Sequence, residues 1–141
     1  MDSGHWILSE GVSIDEGTFG FIYLIVNTIN NKKYIGKKQC ISRIKRKPLK
    51  GKKKNRIEHK ESDWKAYTSS SNELNADIEK YGKDKFVFRI LRTCDSKWAL
   101  AYYEIKEQLG EDVLLRDDYY NGICNVRIGK APKQELAKFK L

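Results

Sequence analysis

Two tyrosines eleven positions apart, Tyr23 and Tyr34, and a lysine pair just past the second, Lys37 and Lys38, are the residues of this chain best suited to chemistry. A free phenol ionises at about pH 10, too high for a base at neutral pH. Ammonium groups close by favour the phenolate, and a phenol poised in this way can take a proton from water attacking phosphorus. The plain alternative for each tyrosine is a core aromatic with a satisfied hydroxyl. The segment that follows tilts the reading. From Lys37 to Lys60 there are 12 Lys or Arg and one acid, Glu58, a local charge of +11, whereas the rest of the chain sums to −2. Such a localised excess is the electrostatic footprint of polyanion binding, because each neutralised phosphate releases condensed counterions. A solvated loop with no partner is the bland reading.

A carboxylate completes the set. Glu104 stands in Ala101-Tyr102-Tyr103-Glu104-Ile105-Lys106, on an expected helix whose apolar stripe is Trp98, Tyr102, Ile105 and Leu109. It lies about 130° round from the centre of that stripe, flanked by Ala101 and Gln108. By default a helical carboxylate there is a solvated charge. In an aromatic-lined cleft it can instead hold one hard divalent cation, with water and phosphate oxygens completing the octahedron. Asp95, Glu107, Asp117 and Asp118 compete for that role. Arg43 and Arg46 can fork onto phosphate oxygens and stabilise charge at a pentavalent phosphorus, or serve only as members of the basic tract. Asn121 and Asn125 read as turn residues. His5, His59 and the three cysteines lack the local spacing of a zinc site.

The elements that must position these groups follow from pattern. Residues 20 to 27 form an apolar strand, the polar turn Asn27 to Asn31 follows, and a short second strand ends at Gly36. Pro48 and Gly51 interrupt the basic tract, which predicts a loop with short helical pieces. Ser71-Asn72-Glu73-Leu74 opens a helix through Tyr81, with Gly82 at its C-terminal stop. Lys85 to Leu91 reads as a third strand, and Asp95 is placed to cap the helix that carries Glu104 and ends at Gly110. The sum is an α/β (α+β) domain with a small three-stranded antiparallel sheet flanked by helices.

At 141 residues, 40% hydrophobic and 11% aromatic, the chain can bury a single ordinary core. It has no apolar run long enough to span a bilayer, and a membrane role is not expected. The N-terminus lacks a basic start and an apolar stretch, so no secretory signal is expected. Cys40, Cys94 and Cys124 are widely spaced and read as reduced thiols in a cytoplasmic protein.

The pair Phe21-Ile22-Tyr23 and Tyr34-Ile35-Gly36 resembles the GIY-YIG nucleases. The likeness runs over roughly residues 20 to 125, through the basic residues, the helical glutamate and a late asparagine. Trp64, Tyr67, the Ser69-Ser70-Ser71 run and Lys80-Tyr81-Gly82-Lys83-Asp84-Lys85-Phe86 are similar to the phage-type homing nucleases of that family. The resemblance implies a GIY-YIG-like DNA endonuclease domain at 19–130 with a basic insertion at 37–60, an N-terminal extension at 1–18 and a polar tail at 131–141. It implies one magnesium or manganese ion on Glu104, with Tyr23 and Tyr34 flanking the scissile phosphate, one as general base or water positioner. Lys37 would assist the phenol, Arg43 would bind the phosphate, and Asn121 would shape the pocket or a metal-bound water. Lys38, Arg46, Lys47, Lys52, Lys53, Lys54, Arg56 and Tyr67 are the expected DNA contacts. The chain departs from the family in Phe21, where a glycine is usual, and in Ile44, which occupies the usual arginine position; Arg43 lies one residue before it. A monomer or weak dimer is expected, in the host cytoplasm if the chain is phage-encoded. The rival readings are a noncatalytic DNA-binding module on the same scaffold and an RNA-binding or ribosome-associated basic protein.

Overall fold

The computed structural model describes residues 2–124 and 126–139, with only the backbone of Arg43 and Ile44. Asn125 therefore lies outside the described residues, as does the side chain of Arg43. The sheet is four-stranded and mixed rather than three-stranded and antiparallel. Its strands are β1 (Ile7–Leu8), β2 (Gly20–Asn27), β3 (Lys33–Gln39) and a later strand, and two more, β4 (Ile41–Arg46) and β5 (Arg56–Glu61), pair only with each other. After α1 (Asn72–Tyr81) comes β6 (Phe86–Cys94), then α2 (Lys97–Gly110) and the short α3 (Lys133–Lys138). The order across the main sheet is β1-β6-β2-β3, so β3 is an edge strand.

β2 is the central element, antiparallel to both β3 and β6. Its near-continuous apolar run reflects burial on both faces. Phe21, Tyr23 and Ile25 join the layer under α1 with Trp6, Trp64, Leu74 and Phe88, while Ile22 joins the layer under α2 with Ile35, Ala99 and Leu100. The register slips between Ile22 and Tyr23, where Leu91 on β6 is passed over. Such a bulge adds twist and re-aims the side chains next to it.

Both helix starts follow from capping. The Ser71 hydroxyl accepts from Leu74 N–H at 3.2 Å, and that of Ser96, not Asp95, accepts from Ala99 N–H at 3.1 Å. Gly82 ends α1 with φ +94°, a conformation glycine adopts without strain.

The expected buried stripe of α2 is a correction. Leu109 is 57% exposed and Tyr102 lies at the surface, while Ala99, Leu100 and Gln108 are buried. Trp98 and Tyr102 stack at 4.8 Å, and the Trp98 indole donates to Gly129 O, so that aromatic side meets the C-terminal segment. The opposite side, bearing Glu104 and Gln108, faces the edge of β3.

The basic tract is likewise not a helical loop. β4 and β5 form an antiparallel ribbon in register from Ile41↔Glu61 to Arg46↔Arg56. Pro48 and Gly51 fall in the turn between its strands, which is where both residues are at home. Six residues of strand give it a length of about 20 Å.

Residues 2–18 are built into the domain rather than appended to it. β1 pairs in parallel with β6, and Trp6 is 3% exposed, its ring against Phe21, Tyr23 and Phe88 and its indole N–H donating to Trp64 O. Trp6→Ala is expected to lower unfolding stability by about 3–5 kcal/mol, the usual cost of truncating a buried tryptophan. Urea denaturation followed by circular dichroism measures it, and a loss under about 1 kcal/mol would return this segment to the status of an extension.

Candidate active site

The site assembles at one edge of the sheet, and a missing side chain makes it possible. In the β2–β3 register Tyr23 lies directly opposite Gly36. A Cβ on Gly36 would sit 2.5 Å from the Tyr23 hydroxyl and 2.8 Å from Cε1 of Tyr34. The bare glycine thus lets the Tyr23 ring lie across β3, and the two tyrosine rings stand 6.1 Å apart at a 31° tilt. Tyr67 adds a third ring, edge-on to Tyr23 at 6.2 Å. Sequence placed Tyr67 among DNA contacts; the fold places it in the phenol cluster.

The opposite face of β3 is supplied by α2. Glu104 and Gln108 are one helical turn apart and address neighbouring residues of the strand. Gln108 donates through Nε2 to Ile35 O at 3.0 Å, and Glu104 Oε1 lies 3.8 Å from Lys37 Nζ. Asn121 completes the edge. Its Nδ2 donates to Ile35 O at 2.8 Å and its Oδ1 accepts from Ile35 N–H at 3.0 Å, so the side-chain amide acts as one more strand residue. The backbone leads into this arrangement: Lys33 N–H donates to Asp118 O, and Tyr120 N–H donates to Lys33 O. Asn121 is 7% exposed and both ends of its amide are committed to Ile35 of β3.

Charge in the site differs from the expectation in a specific way. Burial holds the Tyr23 phenol well above its ordinary value, with Tyr34, Tyr67 and the Glu104 carboxylate adding to the effect. Burial also raises Tyr34; the Ser70 hydroxyl opposes this, and Glu104 and Tyr67 reinforce it. Neither phenol is tuned toward phenolate: burial dominates, and the lysines pair elsewhere. Lys37 pairs with Glu104, while Lys38 pairs with Asp63 at 2.7 Å and lies 4.1 Å over the Tyr67 ring. Gly36 and Lys37 are consecutive on β3, so the strand that passes the Tyr23 hydroxyl carries the partner of Glu104 at its next residue.

Glu104 also stands apart from its competitors. Its side chain is 18% exposed, and burial raises its pKa against the opposing pull of Lys37. Asp95 is instead held below the usual range by a hydrogen bond from Lys138, and Asp118 by Arg116. The compensation of this desolvated carboxylate comes from Lys37 alone, through its backbone N–H and an ammonium 3.8 Å away, and a divalent cation would add to it. Among the described residues no three His, Cys, Asp or Glu side chains cluster. A single carboxylate suits magnesium or manganese, which retain water and take substrate oxygens.

The remaining expected contacts lie on the ribbon. Arg43 sits on β4 opposite His59, and Arg46 is paired with Glu58 at 3.0 Å. Lys47, Lys52, Lys53 and Lys54 are exposed in the turn, and Arg56 opens β5.

Residues 6–124 match the family described as "Putative endonuclease segE, GIY-YIG domain". The chain belongs to the GIY-YIG endonuclease family. No curated protein and no solved structure matches it. This membership makes the chain a nuclease domain with DNA as its substrate, and explains why its two motifs face each other across β2 and β3. Within the described residues no helix is long and apolar enough to cross a membrane. Sequence reasoning named Ser70 only within the Ser69–Ser71 run and Gln108 only as a neighbour of Glu104. The latter had a readable signal, a polar residue one turn after the key glutamate and on its face.

Two outcomes are expected. Gly36→Ala forces the Tyr23 ring to move and destabilises the fold by about 1–3 kcal/mol, as overpacking does. The Tyr23 and Tyr34 phenols remain protonated beyond pH 10, the ordinary value, in absorbance and ring-carbon titrations. The folded chain binds these protons more tightly than the unfolded one, so stability falls as pH rises past about 10. Ionisation of either phenol near pH 8 in the ion-free protein contradicts this description.

Proposed function

We propose that this GIY-YIG domain is a divalent-metal-dependent DNA endonuclease of the phage homing type, hydrolysing phosphodiester bonds at the β3 edge. The observation that carries the reading is Glu104, a desolvated carboxylate with one loosely held ammonium, beside two protonated phenols. Magnesium or manganese would be held by Glu104, and when bound would neutralise charge on phosphate oxygens.

The chain's own residues do the rest by positioning. Tyr23 and Tyr34, protonated at neutral pH, donate hydrogen bonds to a phosphate oxygen or orient the attacking water, and the water-positioning role is the one their burial supports. Lys37 adds positive charge on the substrate side of Glu104. Arg43 is the favoured phosphate ligand of the two arginines, since its place in β4 is nearer the end of β3. Asn121 and Gln108 hold Ile35, and through it the phenol-bearing strand, in place. Most of the rate effect then comes from orientation and electrostatics, as is general for phosphoryl chemistry.

The ribbon supplies the grip on DNA. Its turn, residues 47 to 55, holds five lysines and no acid, and a two-stranded β-ribbon fits the major groove, about 12 Å wide. Lys47, Lys52, Lys53, Lys54 and Arg56 are its contacts with duplex. One chain presents one such edge, so a monomer nicks and a weak dimer would cut both strands. The site of action is the cytoplasm, that of the host if the chain is phage-encoded. Likeness to phage-type homing nucleases in the Trp64, Tyr67 and Ser69–Ser71 region supports the subtype.

Supercoiled plasmid is expected to be nicked with magnesium or manganese and left intact in EDTA. Glu104→Gln and Tyr23→Phe should each slow nicking at least about a hundredfold, the scale of losing one transition-state contact. Undiminished cleavage by both variants would show that the chemistry resides elsewhere.

A further inference from the structure

The ribbon and the catalytic edge leave a surface between them that neither accounts for. A groove of about 410 Å³ opens beside Lys37, bounded by the end of β3, the base of the ribbon and the first turn of α2. Lys37, Lys38, Lys97 and Arg127 line it with Ser42 and Ser62, and no carboxylate of the described residues does. Lys37 is thus common to the groove and to the Glu104 pair.

Lys97 is the telling residue. It is the first residue of α2, exposed, in a first turn with no acid. A cation at a helix N-terminus is opposed by the helix dipole, by about 0.3–1 kcal/mol, so helix stability does not account for it. The carboxylates at this end of α2 are already engaged: Asp95 with Lys138 at 2.7 Å, and Glu135 with the Ser96 hydroxyl at 3.2 Å. Neither lines the groove. Arg127 arrives from the segment after Asn121, exposed and outside every ion pair of the described residues. Positive charge from three separate elements therefore meets on one concave surface: Lys37 and Lys38 have Glu104 and Asp63 as partners, and Lys97 and Arg127 enter no ion pair among the described residues.

We infer that this groove is a DNA-backbone site, in which Lys97 and Arg127 hold the phosphates adjoining the one at Glu104. The inference rests on the DNA reading of the catalytic edge and extends it with two residues outside that edge and outside the ribbon. Phosphates along one strand recur about every 3.4 Å of helix axis, so a strand whose scissile phosphate meets Lys37 runs directly into the groove. Phosphate contacts fix register and orientation without reading sequence. The groove therefore aligns the strand, and the ribbon reaches the duplex beyond it.

Anisotropy of a labelled duplex, measured with the whole chain in EDTA from 50 to 200 mM salt, tests the inference without cleavage. Each phosphate contact contributes about 0.9 to the slope of log affinity against log salt. The Lys97→Gln/Arg127→Gln variant is expected to lose about 1–2 from the magnitude of that slope, equally on unrelated sequences. Both side chains are exposed, so the fold should tolerate the change. Lys80→Gln/Lys83→Gln, of equal charge but beside α1 on the other face of the sheet, should leave the slope intact. A wild-type slope in the groove variant, or the same loss in the control pair, overturns the inference while the catalytic reading stands. Failure of the wild-type chain to bind duplex at all overturns both.

Discussion

The absence of a side chain at Gly36 is the constraint on which the site depends. Tyr23 belongs by alternation to the layer under α1, and Glu104 to the helix on the other side of the sheet. Groups on opposite faces meet only around an edge. Gly36 opens that edge, because the Tyr23 ring fills the space a Cβ would take and its hydroxyl reaches over β3. Any larger residue restores the separation of the two faces.

An edge strand is also a weakness, and the chain manages it in sections. The backbone of residues 118 to 120 pairs with Lys33, and the Asn121 amide then occupies Ile35 with help from Gln108. Beyond Ile35 the cover comes from side chains, with the Ser62 hydroxyl donating to Gln39 O. Glu104 of α2 reaches Lys37 of β3, and the groove with Lys97 and Arg127 opens beside that pair. Unpaired backbone groups are elsewhere protected by pairing or charge.

What the sequence revealed and what it hid have physical reasons. The β2–β3 hairpin, α1 and the tyrosine pair were legible because apolar pattern, turn residues and the Ser71 and Gly82 caps agree with one another. The ribbon was hidden because its strands carry charges instead of alternation, and because Pro48 and Gly51 read as breakers when they mark its turn. β1 is two residues long, too short for any period, and its parallel partner is β6, far along the chain. α2 was misread because it has two usable faces. Its aromatic stripe meets the C-terminal segment, and its small and polar side carries the site. The direction of the phenol shifts was mistaken because neighbours in sequence were treated as neighbours in space. Lys37 and Lys38 find Glu104 and Asp63, and burial governs the tyrosines.

The shared neighbourhood of Glu104, Tyr23 and Tyr34 is best tested with a paramagnetic ion. Manganese titrated into protein carrying ring-labelled tyrosine should broaden the Tyr23 and Tyr34 resonances ahead of those of Tyr81 at the end of α1, and Glu104→Gln should remove the effect. Resonances of the two tyrosines that stay sharp while manganese binds, or broadening that survives loss of the carboxylate, would contradict the convergence on which this account is built.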